Sequence, residues 1–157
     1  MKNIKKGNIF CIAASILSLI TIFFWAGKSY VVYYTVSGQE ITEVHNVFSL
    51  ILGNSILDSS TLFLVGGIIL SIIALNRSIT GFIHKKNHTL LCSTLLSVNI
   101  ISAYILYLNR DFVAAKMNIP VSIGIDINLT ILQLILVLSF IISAAGTLIA
   151  HEEVKDK

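Results

Sequence analysis

Tyr30–Asp58, YVVYYTVSGQEITEVHNVFSLILGNSILD, is the one long stretch of this chain that is not simply apolar. β-Branched and aromatic residues from Val31 to Val36 and an alternating run from Gln39 to Val44 flank Ser37-Gly38. That is a hairpin signal, with Ser-Gly a weaker turn former than Asn-Gly. In this register Val32, Tyr34, Val36 and Ile41 share one face with Glu43 and His45. A lone two-stranded hairpin is marginal in water, so something has to cover it. Val121–Ile127 alternates suitably for a third strand, and the expectation is a small sheet resting on helix ends.

Asn46–Leu57 has another character. Val47, Phe48, Leu50, Ile51 and Leu52 make it too apolar for an open loop, and it is too short to span a bilayer. It either lies flat at a membrane interface as a short helix or extends the next helix outward. Asp58-Ser59-Ser60-Thr61 is a helix-start signature, which favours a break there.

Working outward, the other long segments are four apolar blocks: Ile9–Gly27, Ser60–Leu75, Thr89–Leu108 and Leu129–Ala150. None contains Asp, Glu, Lys or Arg. The chain is 55% hydrophobic and 12% charged with a mean hydropathy of +0.88, whereas a soluble domain carries charge on roughly a quarter of its residues. A membrane-crossing helix needs about 20 residues, and lipid offers the backbone no partners, so spans of this kind must be helices. The expected fold is an all-α integral membrane protein: one domain over 1–157, built as an antiparallel four-transmembrane-helix bundle with an extracytoplasmic hairpin or three-stranded sheet. The predicted spans are about 9–27, 59–76, 89–108 and 129–150. Outer loops at 28–58 and 109–128 and a cytoplasmic loop at 77–88 connect them.

Lys2, Lys5, Lys6, Arg77, Lys85, Lys86, Lys155 and Lys157 fall on one side of these spans, and only Lys28, Arg110 and Lys116 on the other. The positive-inside rule then puts both termini in the cytoplasm of a multi-pass protein of the cell (inner) membrane. The positive charge sits in short clusters at membrane edges and calls for no nucleic acid. A basic start followed by an apolar run invites a signal-peptide reading, but Phe23-Phe24-Trp25 is too bulky for a cleavage site. Trp25, Lys28 and Tyr30 instead mark the outer interface of a retained helix. Cys11 and Cys92 read as small buried thiols rather than a disulfide.

Small residues at three- and four-residue spacing line the helices: Cys11, Ala14, Ser15 and Ser18 in the first, Gly67 and Ser71 in the second, Ser139, Ser143 and Thr147 in the fourth. Such faces allow close helix approach. Asn99 and Gln133 are the strongly polar residues inside the spans, either lining a polar path or hydrogen-bonding between helices. His84 and His88 have the spacing of a metal pair but lack further ligands. Glu43 and His45, with Glu40 and Asp58 in the same outer segment, are the nearest thing to a general-base pair. Nothing points to catalytic, cofactor or metal residues, and no cofactor is expected. For outer-surface interaction the candidates are Tyr33, Tyr34, Glu43, His45 and Phe48.

The order of parts, with Phe23-Phe24-Trp25 ending the first helix and the hairpin through Val36-Ser37-Gly38 following it, resembles the claudin-like plan. It looks closer still to small four-helix membrane proteins of bacteria that share the layout. The claudin outer-loop pattern of Gly-Leu-Trp and two cysteines is absent, which argues against a cell-junction role. The topology is also similar to that of immunity proteins against pore-forming bacteriocins, an analogy at the level of fold alone. The expected function is non-enzymatic: binding a partner protein, or a second copy, in the bilayer or at the outer surface, as a toxin-immunity or regulatory subunit. The alternative is a small transporter or channel with a polar path near Asn99 and Gln133. Less favoured is an outer-surface enzyme.

Overall fold

In the computed structural model, residues 2–46, 58–116, 121–125 and 127–155 are described. Four helices account for most of them: α1 (Lys2–Ile20), α2 (Asp58–His84), α3 (Thr89–Lys116) and α4 (Ile127–Lys155). The segments Lys2–Ala26, Val65–His84 and Thr130–Glu152 are long and apolar enough to cross a membrane, and Thr89–Ile101 is a shorter apolar stretch of α3.

α1 packs against α4 and α2, α2 packs against α3, and α3 closes the ring on α4. Inter-helix bonds give the directions. Asn8 reaches Lys86, and Ser18 reaches Ser71, so α1 and α2 run oppositely. Cys11 meets Thr89 and Ser18 meets Asn99, so α1 and α3 run the same way. Ser139 meets Ala14 and Cys11 meets Ser143, so α4 opposes α1. Neighbouring helices are therefore antiparallel, and every described lysine from Lys2 to Lys6 lies at the same end as Lys85 and Lys86.

The helices run past the ends that charge suggests. α2 was expected to stop near Asn76 but continues to His84, which shrinks the expected loop 77–88 to four residues, Lys85–His88. The reason is packing: Ser78 and Gly81 in the extra turns are buried, and the Lys5 ammonium lies 5.5 Å from the Phe82 ring. Likewise α1 begins at Lys2 rather than Ile9, α3 reaches Lys116 rather than Leu108, and α4 spans Ile127–Lys155 rather than 129–150. A charged residue marks where lipid contact changes, not where helical hydrogen bonding stops.

At its other end α1 tightens into a 3-10 turn over Thr21–Ala26. The Thr21 hydroxyl donates to the Ser18 carbonyl at 2.6 Å, competing with regular backbone bonding there. This winding turns Thr21 and Trp25 inward and leaves Phe23 81% exposed. Trp25, at the sheet-side end of α1, is thus packed against the protein, and Phe23 takes the outward position.

The chain then enters β1 (Lys28–Val36) and β2 (Gln39–Asn46); β3 (Val121–Ile125) completes an antiparallel sheet in the order β2-β1-β3. Tyr34 pairs with Ile41 and Val32 with Glu43, with a bulge between Lys28 and Tyr30. β3 lies on the other side of β1, Tyr33 opposite Ser122. Ser37 and Gly38 both take positive φ, 53° and 82°, as a two-residue type I′ hairpin turn demands. Phe48 and the rest of 47–57, where an interfacial helix or an extension of α2 was expected, lie outside the described residues.

Candidate functional site

Two buried polar layers lie ten residues apart along α1, about 15 Å at the α-helical rise. The inner layer of the sheet-side half is built from three helices. The Asn99 amide nitrogen donates to Ser18 Oγ at 3.0 Å and to Ser71 Oγ at 2.6 Å, and the two hydroxyls are 2.8 Å apart. Ser71 also donates to its own helix at Gly67 O, 2.9 Å away. The hydrogens account for themselves: Ser71 gives its proton to Gly67 O, Ser18 gives its own to Ser71 Oγ, and the two amide hydrogens of Asn99 serve one hydroxyl oxygen each. All three side chains are buried, and small residues were needed at 18, 67 and 71 for the helices to come this close.

That arrangement uses only the donors of Asn99. Its Oδ1 has no hydrogen-bond partner among the described residues, and neither has Nε2 of Gln133. Asn99 lines a cavity together with Ser18, Thr21, Trp25, Gly67, Ile68, Leu132 and Leu136. Its volume of about 10 Å³ is at the lower limit for a single water molecule. Leu132 and Leu136 of α4, not Gln133, face this cavity, so the two polar residues singled out in the spans do not line it together.

Below it, Ser139 donates to Ala14 O at 2.8 Å, Ser143 to its own helix at Phe140 O at 2.8 Å, and Thr147 meets Ser93 at 2.8 Å. Ser139 and Ser143 are buried between α4 and α1. Cys11 and Cys92 are free, buried thiols. Cys11 points its thiol at the Thr89 and Ser143 carbonyls, 3.8 and 3.9 Å away, and Cys92 lies 3.7 Å from Ser15 Oγ.

The second layer centres on Asn8, a residue that the sequence alone did not single out. Its amide nitrogen donates to Ile4 O at 3.0 Å and to Lys86 O at 2.9 Å, tying the start of α1 to the α2–α3 connection. Gly81 makes room for it: a Cβ there would lie 2.7 Å from Asn8 Oδ1 and 2.8 Å from Lys86 O. Gly7 and Gly146 were likewise unflagged, and a Cβ on Gly7 would meet Gly146 O at 2.5 Å. A glycine or asparagine beside a lysine-rich start reads as solvated head; only the chain folding back over it reveals burial.

At the sheet, the interaction candidates fall on opposite faces. Tyr33 sits opposite Thr42, beside the Val31–Val44 and Thr35–Glu40 pairs, whereas Tyr34, Glu43 and His45 alternate onto the other face. On the first face Tyr33 is 47% and Val44 48% exposed, and Thr35, Glu40 and Thr42 are exposed too. Asp58 opens α2, apart in sequence from both strands. His84 ends α2 and His88 ends the short connection, where its carbonyl accepts the Cys92 amide at 3.0 Å. Among the described residues no three of His, Cys, Asp and Glu gather as metal ligands would. Comparison with protein-family models, with curated proteins and with solved structures finds no match.

Proposed function

We propose that the chain is a multi-pass protein of the cell membrane, crossing four times with both termini cytoplasmic, and that it works by binding a partner protein at its extracytoplasmic sheet. The observation that carries this reading is the exposed face of β1 and β2, where Tyr33 and Val44 stand beside Thr35, Glu40 and Thr42. Aromatic and β-branched residues left open on the face of β1 and its edge neighbour β2 are suited to protein contact. The interior supports the same reading. Ser18, Ser71 and the Asn99 amide nitrogen bond to one another, and the cavity beside Asn99 has room for about one water molecule, less than a solute path requires.

In this role the chain acts as a regulatory or toxin-immunity subunit, not as an enzyme. The test places a photo-crosslinking amino acid at Tyr33, and at the exposed Leu134 on α4 as a lipid-facing control. A single partner protein captured from Tyr33 and not from Leu134 is the expected result. Crosslinks to lipid alone from both positions sink the proposal. For the immunity version, deletion of the gene should sensitise the host to one membrane-active toxin, and unchanged survival against toxins encoded beside it removes that version.

A further inference from the structure

We propose that the end of the bundle where α1 begins and α2 turns into α3 binds the phosphate of an acidic phospholipid, with Lys5, Lys85 and Lys86 as its cationic ligands. The proposal rests on the membrane reading and adds a ligand to it.

Three features converge there. The first is charge held together by the fold. Asn8 clamps Lys86 to the first turns of α1, and Lys5 is drawn over Phe82, three residues before Lys85. Lys2 and Lys6 are exposed beside them, as are Lys85 and Lys86. Five lysines thus lie at one end of the bundle, and among the described residues none of them is paired with a carboxylate. Glu152, exposed in the last turns of α4 at the same end, offsets part of this charge, and the remaining like charges repel unless a further anion sits among them.

The second is the backbone at the turn. The Lys86 amide donates to Gly81 O at 2.9 Å, and Lys85 between them takes φ 55°. This is a helix-ending Schellman turn, and its left-handed position is one that glycine normally fills. A lysine there sacrifices backbone ease to keep a cation at the tip of the turn.

The third feature selects a lipid over a soluble anion. Directly flanking the turn, Ile83 at the end of α2 and Leu90 at the start of α3 are 63% and 69% exposed. Ammonium groups above and bare branched side chains below match a phosphate joined to acyl chains, as in phosphatidylglycerol. Lysine is suited to phosphate as a point charge on a flexible stem.

The experiment uses the full chain in a neutral detergent, with its melting followed after addition of phosphatidylglycerol, phosphatidylcholine or glycerol 3-phosphate. Phosphatidylglycerol should raise the melting temperature, and the other two should leave it in place. Lys5→Gln/Lys86→Gln should lose half or more of that rise. Lys85→Gly is the sharper variant: it relieves the left-handed backbone and removes a charge, so it should melt higher without lipid yet gain less from phosphatidylglycerol. An equal rise with phosphatidylcholine, or variants that keep the full rise, overturns the proposal; a rise with glycerol 3-phosphate as large as with the lipid overturns the lipid assignment. Failure of the membrane reading looks different, as a chain that does not enter vesicles of either lipid.

Discussion

Two glycines of α2 respond to the same substitution in opposite ways. Gly66 has open space where a Cβ would go, whereas a Cβ on Gly81 would press on Asn8 Oδ1 and on the Lys86 backbone. Alanine in a helix interior is favoured over glycine by about 0.5–1 kcal/mol, and overpacking costs about 1–3 kcal/mol. Gly66→Ala should therefore raise stability slightly and Gly81→Ala lower it, read as opposite shifts in a thermal melt of the detergent-solubilised protein. Asn99→Leu should cost about 1 kcal/mol, because interhelical hydrogen bonds are worth about 0.6 kcal/mol each on average and two are lost. A double-mutant cycle with Ser71→Ala should show the coupling. The importance of Asn99 was legible from its place in an apolar run, but its role was not, since lining a path and joining helices use the same amide. The choice depends on what α1 and α2 bring opposite it, and periodicity within one helix does not carry that. Gln133 belongs to the same class of residue, yet it contributes no bond to the layer.

Among the elements, the hairpin was readable in register because a period of two fixes each side chain's face once the turn is placed. Its turn also offers a test. Ser37 holds a φ that asparagine adopts more readily, so Ser37→Asn should slow hydrogen exchange of the β1 and β2 amides. Gly38→Val should speed it, because a β-branched residue at φ 82° is strained. The crossing of α1 on α4 was less visible. The hydroxyl stripe of Ser139, Ser143 and Thr147 suggested a packing face, but the closest approach is at Gly146, which presses its Cβ position to 2.7 Å from Gly7 O. Gly146→Ala should separate these helices and lower the melting temperature more than Ser139→Ala, which forfeits a single bond to Ala14 O. The lengths of α2, α3 and α4 were underestimated, and the start of α1 was placed too late, for one reason: charges bound the apolar blocks, while the helices continue beyond them.

At the scale of the whole molecule, the antiparallel ring places the lysines of α1 and of the α2–α3 turn at one end and the sheet at the other. With the orientation proposed above, a cysteine at exposed Thr42 should react with an impermeant maleimide in intact cells, and one at exposed Lys86 only after the membrane is opened. Native Cys11 and Cys92, both buried, should stay silent in either case; the reverse labelling pattern would invert the topology. The Ser18–Ser71–Asn99 layer has a consequence for how such a chain is made. In the finished fold the Ser18 and Ser71 hydroxyls satisfy each other 2.8 Å apart, and synthesis delivers α1 and α2, which carry them, before α3. Two helices that pack in this way on emerging would present a receptor for Asn99 before α3 follows. In the four-span membrane reading proposed above, an amide left in hydrocarbon is costly, so the third helix would have a thermodynamic reason to enter the bilayer toward its own protein rather than toward lipid, and to stop sliding at one height. The layer works as a timetable as much as a bond, and moving the asparagine to the first helix should leave the finished contacts similar while slowing productive insertion.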